Sequence, residues 1–182
     1  WVVPIALATV AWQWMFDSLY SVINWTLIAL GFVTRDEAPN WLGTPELAMI
    51  SVIVVNAWRF FPFAIVIFLA GITAVPQDVV DAATVDGAGF WRRNYQIILP
   101  MILPIMTIGV VFGIVFTFTD LSIVYLMTQG GPIGATSVLG FAGFQTGIVS
   151  GDVSHGAAIS VFMLPLLLIV VVTMLRFIRR RE

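Results

Sequence analysis

The chain has no cysteine and no lysine among its 182 residues, so all eight basic residues are arginines. Without cysteine, neither a disulfide framework nor thiolate chemistry is possible. Without lysine there is no Walker A loop, because that loop needs a lysine to contact the nucleotide phosphates. If ATP drives this protein, a different chain must hydrolyse it.

Charge is also scarce. Charged residues make up 10% of the chain, whereas a soluble domain carries roughly a quarter. Hydrophobic residues account for 60%, and the mean hydropathy is +1.03. This composition is that of a membrane protein. The net charge of −2 argues against nucleic acid as a partner, because no basic face is large enough to follow a phosphate backbone.

Three apolar segments are long enough to cross a bilayer as helices, which takes about 20 residues. They are residues 47–71, 97–127 and 156–178. A fourth apolar segment, residues 1–16, is shorter, and we interpret it as the truncated end of a helix that begins upstream. The sequence therefore predicts one all-α domain over residues 1–182, a polytopic membrane helix bundle seen as a fragment that lacks its first helices.

The arginines predict the orientation in the membrane. Six of the eight fall either at Arg92 and Arg93 or between Arg176 and the C-terminus. An even number of predicted crossings separates these two places, so both are expected on the cytoplasmic side. Residues 35–41 and the Thr-Gln-Gly-Gly-Pro turn at 128–132 are then expected outside. Residues 17–32 are expected along the outer interface, where Trp and Tyr are common.

A charged segment, "DAATVDGAGFWRRNYQIILPMILP" from residue 81 to 104, interrupts the apolar pattern. Pro76 and the acids that follow it suit the first turn of a helix, and Gly87 suits a left-handed stop. A second short helix is predicted from Ala88 to about Tyr95. Two short helices at a glycine elbow would present small alanines at an exposed tip. The alternative is an amphipathic interfacial helix that only anchors the loop.

The same residues carry a family resemblance. Asp81-Ala82-Ala83, then Asp86-Gly87-Ala88, then Ile98-x-Pro100 resembles the EAA loop of binding-protein-dependent ABC importer permeases, with Asp81 where the family has Glu. The flanking "WRFFPFAIVIFLAGITAVPQDVV", "LMTQGGP" and "GAAIS" look like the maltose-type carbohydrate uptake branch. The resemblance covers essentially the whole chain and implies the type I importer permease fold, beginning at about the third of six core helices.

The resemblance implies that residues 76–96 form the coupling helix, which docks on a cytoplasmic ATPase. The implied coupling residues are Asp81, Ala82, Ala83, Asp86 and Gly87. ATP and Mg²⁺ would bind to the ATPase dimer, and this chain would bind no cofactor and catalyse no reaction. The further implied partners are a second homologous permease, an extracytoplasmic solute-binding protein and the lipid bilayer. The implied location is the plasma (inner) membrane of a bacterium or archaeon.

Polar side chains within predicted spans indicate a candidate solute site, because such residues usually face a cavity or a partner. Two sets share helical spacing and hence one face of each helix. They are Asn56, Arg59, Phe60 and Phe63 in the first full span, and Gly113, Phe116, Thr117 and Asp120 in the second. Aromatic rings combined with amide, hydroxyl and charged groups suit a sugar, and in maltose-type permeases these two helices supply the sugar site. Alternatively, Arg59 and Asp120 pair with each other and the phenylalanines fill helix surfaces.

The predicted function is a permease subunit that imports a mono-, di- or oligosaccharide by alternating access. The alternatives are import of a polyol, a glycerol phosphate or a polyamine, an ATP-independent facilitator, and an assembly subunit. The companion permease is a second possible holder of the solute. His155 has no second ligand at metal-binding spacing, so no metal site is predicted, and we interpret it as a helix-start residue near the outer surface.

Overall fold

The computed structural model describes residues 1–179, with side chains as far as Arg176. Arg180 and Arg181, which contribute to the predicted orientation, lie outside the described residues. Within residues 1–179 the chain forms ten α-helices and two short π-helical turns, the latter at Asn94–Ile98 and Gln145–Val149. The α-helices are α1 (Ile5–Met15), α2 (Val22–Ala29), α3 (Pro45–Thr73), α4 (Gln77–Val85), α5 (Phe90–Arg93), α6 (Leu99–Thr119), α7 (Ser122–Met127), α8 (Leu139–Phe144), α9 (Val153–Val161) and α10 (Met163–Arg179).

Three helical runs in the described residues are long and apolar enough to cross a membrane. They are Pro45–Thr73, Phe90–Thr119 and Val153–Arg176. The all-α membrane fold predicted from the sequence is thereby confirmed. The first and third runs begin a few residues before the predicted segments, and the second differs from its predicted segment at both ends.

The second run begins earlier than expected because the short helix predicted up to Tyr95 does not end there. α5 passes through the π-helical turn Asn94–Ile98 directly into α6. In a regular helix the ring of Pro100 would clash with the carbonyl group of Gln96, four residues earlier. The π-helical turn widens the helix at that place, so the proline does not end the run.

The second run also ends earlier, at Thr119 rather than Met127. The carboxylate of Asp120 accepts a hydrogen bond from the backbone N–H of Ser122, at 2.7 Å, and Ser122 is the first residue of α7. A short polar side chain that bonds to its own backbone competes with the helical ladder. The single helix expected over 97–127 is therefore two helices with a turn at Asp120.

The described chain divides into two compact units, and all three boundaries between them fall within helices, in α3, α6 and α10. Unit 1 consists of residues 1–59 and 117–165, and unit 2 consists of residues 60–116 with those from Leu166 onward. The core of unit 1 contains seven buried side chains from α3, α7, α8 and the end of α1: Phe16, Val52, Val55, Ile123, Val124, Met127 and Phe141. This core fixes the first half of α3 against α7.

Hydrogen bonds from polar side chains hold α1 and α2 against the rest of unit 1. Gln13 on α1 donates to the carbonyl oxygens of Leu126 and Met127 at 2.9 and 3.2 Å, which satisfies the C-terminal end of α7. The buried Asn24 on α2 donates to the carbonyl oxygen of Pro39 and accepts from the indole N–H of Trp41, at 3.0 and 2.8 Å. Because buried amides need such partners, these bonds fix α2 to the segment that leads into α3.

The helical run over α8 and the following π-helical turn packs against α9 through small residues. A Cβ atom on Gly143 would lie 2.6 Å from the hydroxyl oxygen of Ser160, and one on Gly156 would lie 2.8 Å from the carbonyl oxygen of Gly143. Small residues four positions apart allow two membrane helices to approach closely. The close approach therefore depends on these glycines.

The predicted helix start at His155 is confirmed. Asp152 precedes α9, and its carboxylate accepts a hydrogen bond from the backbone N–H of His155 at 3.1 Å. The His155 Nδ1 atom also lies 2.6 Å from the second oxygen of Asp152. The side chain of His155 is largely exposed and that of Asp152 is about half exposed, so this pair caps the helix at the protein surface.

Candidate coupling segment and solute cavity

The predicted coupling segment lies in unit 2 and begins with α4. Pro76 immediately precedes the helix and Asp78 lies in its first turn, where the positive end of the helix dipole favours an acid. Gln77 donates to the carboxylate of Asp81 across one turn at 3.1 Å. These local interactions are the ones that the sequence predicts for a helix start.

Gly87 ends α4 in the left-handed conformation, with φ of +72°. The N–H of Ala88 bonds to the carbonyl oxygen of Ala83 at 2.9 Å, and the N–H of Gly87 bonds to that of Thr84 at 3.0 Å. This pair of bonds is a Schellman ending, which favours glycine at its left-handed position. The predicted stop at Gly87 is confirmed, and Gly89 then leads in extended conformation to α5.

Four of the five predicted coupling residues are exposed: Asp81, Ala82, Asp86 and Gly87. Ala83 is not, because only 5% of its surface is accessible. The expectation that both alanines form the exposed tip is therefore wrong for Ala83. Ala83 lies one turn after the half-buried Val79, so these two residues share the covered face of α4.

An aromatic group that was not predicted from the sequence lies directly after the left-handed turn at Gly87. The side chains of Phe90, Trp91 and Tyr95 are all more than half exposed. The ring centroids of Trp91 and Tyr95 lie 5.8 Å apart in a stacked arrangement, and those of Phe90 and Trp91 lie 5.4 Å apart. The signal was the spacing of Trp91 and Tyr95, because residues four apart on a helix are neighbours.

The four polar or charged residues of the predicted solute site lie in unit 1, where they form two bonded pairs. The amide nitrogen of Asn56 donates to the hydroxyl oxygen of Thr117 at 3.0 Å. One turn further along α3, Arg59 forms an ion pair with Asp120. The mutual pairing that the sequence left open for Arg59 and Asp120 is present in the structure.

Three of these residues line a cavity of about 370 Å³ in unit 1. The lining residues are Met49, Val52, Ile53, Asn56, Thr117, Phe118, Asp120, Ile123, Val124, Val138, Leu139 and Gly140. Small-molecule sites commonly occupy about 300–1,000 Å³ and combine apolar walls with a few polar groups. Arg59 is not one of the lining residues, but it pairs with Asp120, which is.

The cavity offers a defined set of hydrogen-bonding groups. One Asp120 oxygen is bonded to Arg59 and the other accepts from Ser122, so the carboxylate has a fixed orientation. The amide of Asn56 donates one proton to Thr117, and no donor among the described residues bonds to its amide oxygen. A carboxylate, an amide and a hydroxyl within apolar walls can bind a solute that carries several hydroxyl groups.

The other four predicted residues, Phe60, Phe63, Gly113 and Phe116, belong to unit 2. The ring centroids of Phe60 and Phe63 lie 5.2 Å apart. A Cβ atom on Gly113 would lie 2.6 Å from the ring of Phe60, so the glycine makes room for that ring. Phe116 stacks on Phe112 at 6.2 Å. Within unit 2 these side chains therefore pack against one another and against α6.

The family profile of binding-protein-dependent transport system inner membrane components matches residues 1–182, and the chain belongs to this family. The family resemblance drawn from the sequence is confirmed. The chain is 33% identical over 182 residues to the trehalose/maltose transport system permease protein MalF of Thermococcus litoralis, which covers 100% of this chain and 60% of that protein. It is 32% identical over 177 residues to the sn-glycerol-3-phosphate transport system permease protein UgpA of Yersinia pseudotuberculosis, which covers 97% and 58%.

The fold is also similar to that of a solved transporter. A chain in the crystal structure of the bacterial alginate ABC transporter, in complex with an alginate pentasaccharide-bound periplasmic protein, matches with a TM-score of 0.80 at 22% identity. The match covers 98% of this chain and 61% of that chain. The sequence therefore spans about three fifths of the proteins that it resembles, and its fold is that of an ABC importer permease.

Proposed function

We propose that the chain is part of a permease subunit of an ATP-driven importer for a sugar or a similar polyhydroxylated solute. The observation that carries the proposal is the match of its whole length to the family of binding-protein-dependent inner membrane components. The solute would move by alternating access, and a separate ATPase dimer would bind ATP and Mg²⁺. An ATP-independent facilitator is disfavoured by the same family match.

The segment from α4 to α5 would transmit ATPase closure to the membrane helices. Docking in a groove requires small side chains and a fixed backbone. Ala82 is small and exposed, and the Schellman ending at Gly87 fixes the direction in which the chain leaves α4. The exposed carboxylates of Asp81 and Asp86 suit contact with a partner in water. α5 then continues without a break into α6, which gives a stiff connection.

A sugar suits the cavity in unit 1 better than a phosphate-bearing solute does. In the described part of the chain, none of the residues that line the cavity is cationic. The positive charge of Arg59 is compensated by Asp120. Phosphate recognition normally uses arginine, lysine or a helix N-terminus. Import of a glycerol phosphate is the second candidate, because one relative is named for that solute.

The partners would be a second homologous permease, the ATPase dimer, a solute-binding protein on the outer side and the bilayer. The family description names a binding protein, and a neighbour in fold was solved in complex with one. The arginines at 92 and 93 favour a cytoplasmic position for the coupling segment. The turn at 128–132, separated from it by one crossing in the chain, would then face outside.

Purification of the full-length subunit from native membranes tests the coupling proposal. Detergent extracts containing the wild type, Gly87→Leu and Gly89→Leu are compared for a copurifying ATPase. Gly89 is the matched control, because a Cβ at either glycine meets nothing within 4 Å but only Gly87 has a positive φ. We expect the ATPase with the wild type and with Gly89→Leu, and its loss with Gly87→Leu. Absence of an ATPase from all three preparations would contradict the proposal.

Uptake assays test the solute class. Proteoliposomes that contain the complete importer and its binding protein are supplied with labelled trehalose, maltose or glycerol 3-phosphate. We expect accumulation of a sugar that depends on ATP and is not competed by glycerol 3-phosphate. Accumulation of glycerol 3-phosphate instead would favour the second candidate.

A further inference from the structure

The loop from Thr128 to Val138, here called the Ile133 loop, exposes a large apolar side chain at its tip. Ile133 is 97% exposed, and its backbone φ is +52°. A β-branched residue with positive φ is a true outlier, because its side chain crowds the backbone there. Glycine or asparagine would fit the same backbone with less strain. An exposed isoleucine in this conformation therefore suggests a functional reason for its presence.

Hydrogen bonds and close packing hold the rest of the Ile133 loop in place. The hydroxyl group of Thr136 is fully buried, donates to the carbonyl oxygen of Gly131 at 2.8 Å and lies 2.7 Å from the hydroxyl of Thr128. The backbone N–H of Thr136 bonds to the carbonyl oxygen of Gly130 at 3.2 Å. Gly130 lies against the ring of Phe141, which a Cβ would approach to 2.5 Å. A rigid base thus holds Ile133 in a fixed, exposed position.

The Ile133 loop is also connected to the cavity of unit 1. It joins α7 to α8, and residues of both helices line the cavity. Ile123 and Val124 lie before the loop, whereas Val138 and Leu139 lie at its end. A force applied at Ile133 would therefore reach two walls of the cavity through short, rigid elements.

We propose that Ile133 is a docking point for the solute-binding protein and inserts into an apolar recess on its surface. This inference rests on the proposed function, which places the loop on the outer side and supplies the binding protein as a partner. A rigid, preformed contact loses little conformational entropy on binding. Docking would at the same time shift the residues of α7 and α8 that line the cavity.

The test uses the complete importer in proteoliposomes, with ATPase activity measured against the concentration of purified, solute-loaded binding protein. The variants are Ile133→Asn and the control Leu19→Asn, since Leu19 is 83% exposed in another turn of unit 1. Asparagine tolerates positive φ, so Ile133→Asn keeps the loop fold and removes the apolar contact. We expect the half-saturating concentration to rise about tenfold for Ile133→Asn, as for a central interface residue, and to stay unchanged for Leu19→Asn.

A half-saturating concentration within about twofold of the wild type for Ile133→Asn would overturn the docking proposal while leaving the importer assignment intact. A wild-type importer that is not stimulated by its binding protein would overturn both. Thermal stability is measured in parallel, and we expect no loss for Ile133→Asn because asparagine relieves backbone strain. A clear loss of stability would show that Ile133 serves the fold instead.

A photo-crosslinking experiment identifies the neighbour directly. Ile133→p-benzoylphenylalanine is introduced into the complete importer, which is illuminated with and without the purified binding protein. We expect an adduct with the binding protein. An adduct only with lipid or with the companion permease would assign Ile133 to the membrane interface or to the subunit interface, and would overturn the proposal.

Discussion

Gly147 and Gly156 bring two backbones into direct contact, because a Cβ on Gly156 would lie only 2.3 Å from the Cα of Gly147. The obstructing atom belongs to the backbone and cannot rotate away. We predict that Gly156→Ala separates α9 from the preceding helical run and destabilises the protein by roughly 1–3 kcal/mol, as overpacking does elsewhere. The measurement is the apparent melting temperature of the detergent-solubilised subunit. Gly89→Ala is the control, since it adds a methyl group in open space without a positive φ, and equal melting temperatures for the two variants would contradict the prediction.

Left-handed backbone at Gly87 predicts a graded series of effects on transport. An L-residue at this φ costs about 1–2 kcal/mol, so Gly87→Ala should weaken the α4 ending and lower ATP-dependent uptake. Gly87→Asn should retain more activity, because asparagine tolerates positive φ. Gly89→Ala should behave like the wild type. The measurement is initial uptake rate at matched protein levels, and an activity order that puts Gly87→Ala at or above Gly87→Asn would count against the backbone explanation.

The Arg59–Asp120 pair predicts a strong interaction in a double-mutant cycle. Both side chains are partly accessible, at 31% and 17%, so the expected cost of Asp120→Asn is about 1–2 kcal/mol, less than for a fully buried pair. Asn still accepts the Ser122 N–H, which limits the change to the lost charge. The combined variant Arg59→Gln/Asp120→Asn should recover much of the stability. The measurement is thermal stability. If the loss of stability in the combined variant equals the sum of the losses in Arg59→Gln and Asp120→Asn, the two residues do not stabilise each other.

The same double variant distinguishes structural from solute-binding roles of Asp120. If the carboxylate also contacts the solute, the double variant regains stability but not uptake. If Asp120 only fixes helix packing, uptake returns together with stability. We expect the first outcome, because Asp120 lines the cavity.

Thr117→Val removes the hydroxyl group that accepts from Asn56 and leaves the side-chain volume nearly unchanged. Because this bond holds the amide of Asn56 in the cavity wall, its loss, worth about 1 kcal/mol, should misplace the amide and raise the solute concentration for half-maximal uptake by up to about fivefold. Thr173→Val is the control, because among the described residues the hydroxyl of Thr173 bonds to carbonyl oxygens of its own helix, those of Ile169 and Val170. If both variants shift uptake equally, the effect is not specific to the cavity.

Asp17 provides a prediction about pH. Backbone N–H groups of Tyr20 and Leu19, both at 2.8 Å, lower the pKa of the Asp17 carboxyl below its ordinary value of 3.8. A lowered folded-state pKa means that the charged form stabilises the turn above pH 3.8 and that this contribution is lost as pH falls through the folded pKa. We expect protection of the Leu19 and Tyr20 amides from hydrogen exchange, after correction for intrinsic rates, to fall only in that acidic window. Asp17→Asn should abolish the dependence, and an unchanged pH profile in that variant would contradict the assignment.

Local sequence signals predicted much of the fold. Long apolar runs predicted the three membrane-length helices, and Gly87 predicted the end of α4, because each depends on nearby residues alone. Because an isolated charge within a membrane span is costly, the sequence left open that Arg59 and Asp120 pair with each other. These outcomes follow from length, polarity and backbone conformation.

Other features depend on contacts that the sequence does not display. The turn at Asp120 arises because one carboxylate serves Arg59 and the Ser122 N–H together, and apolar residues on both sides concealed it. The burial of Ala83 depends on which face of α4 is covered, and the continuation through Pro100 depends on a π-helical turn. In the candidate solute site, spacing placed Asn56 and Thr117 on one face of their respective helices, but it predicted neither their hydrogen bond nor that Gly113 makes room for the ring of Phe60.

Asp120 has a consequence for evolutionary change at this place. Its carboxylate compensates Arg59 on one side and begins α7 on the other, so most replacements would disturb charge balance and chain direction in a single step. Positions 59 and 120 are therefore expected to co-vary among homologues, with a neutral residue at one accompanied by a neutral residue at the other. Asparagine is the natural intermediate at 120, because it preserves the turn while the charge is exchanged.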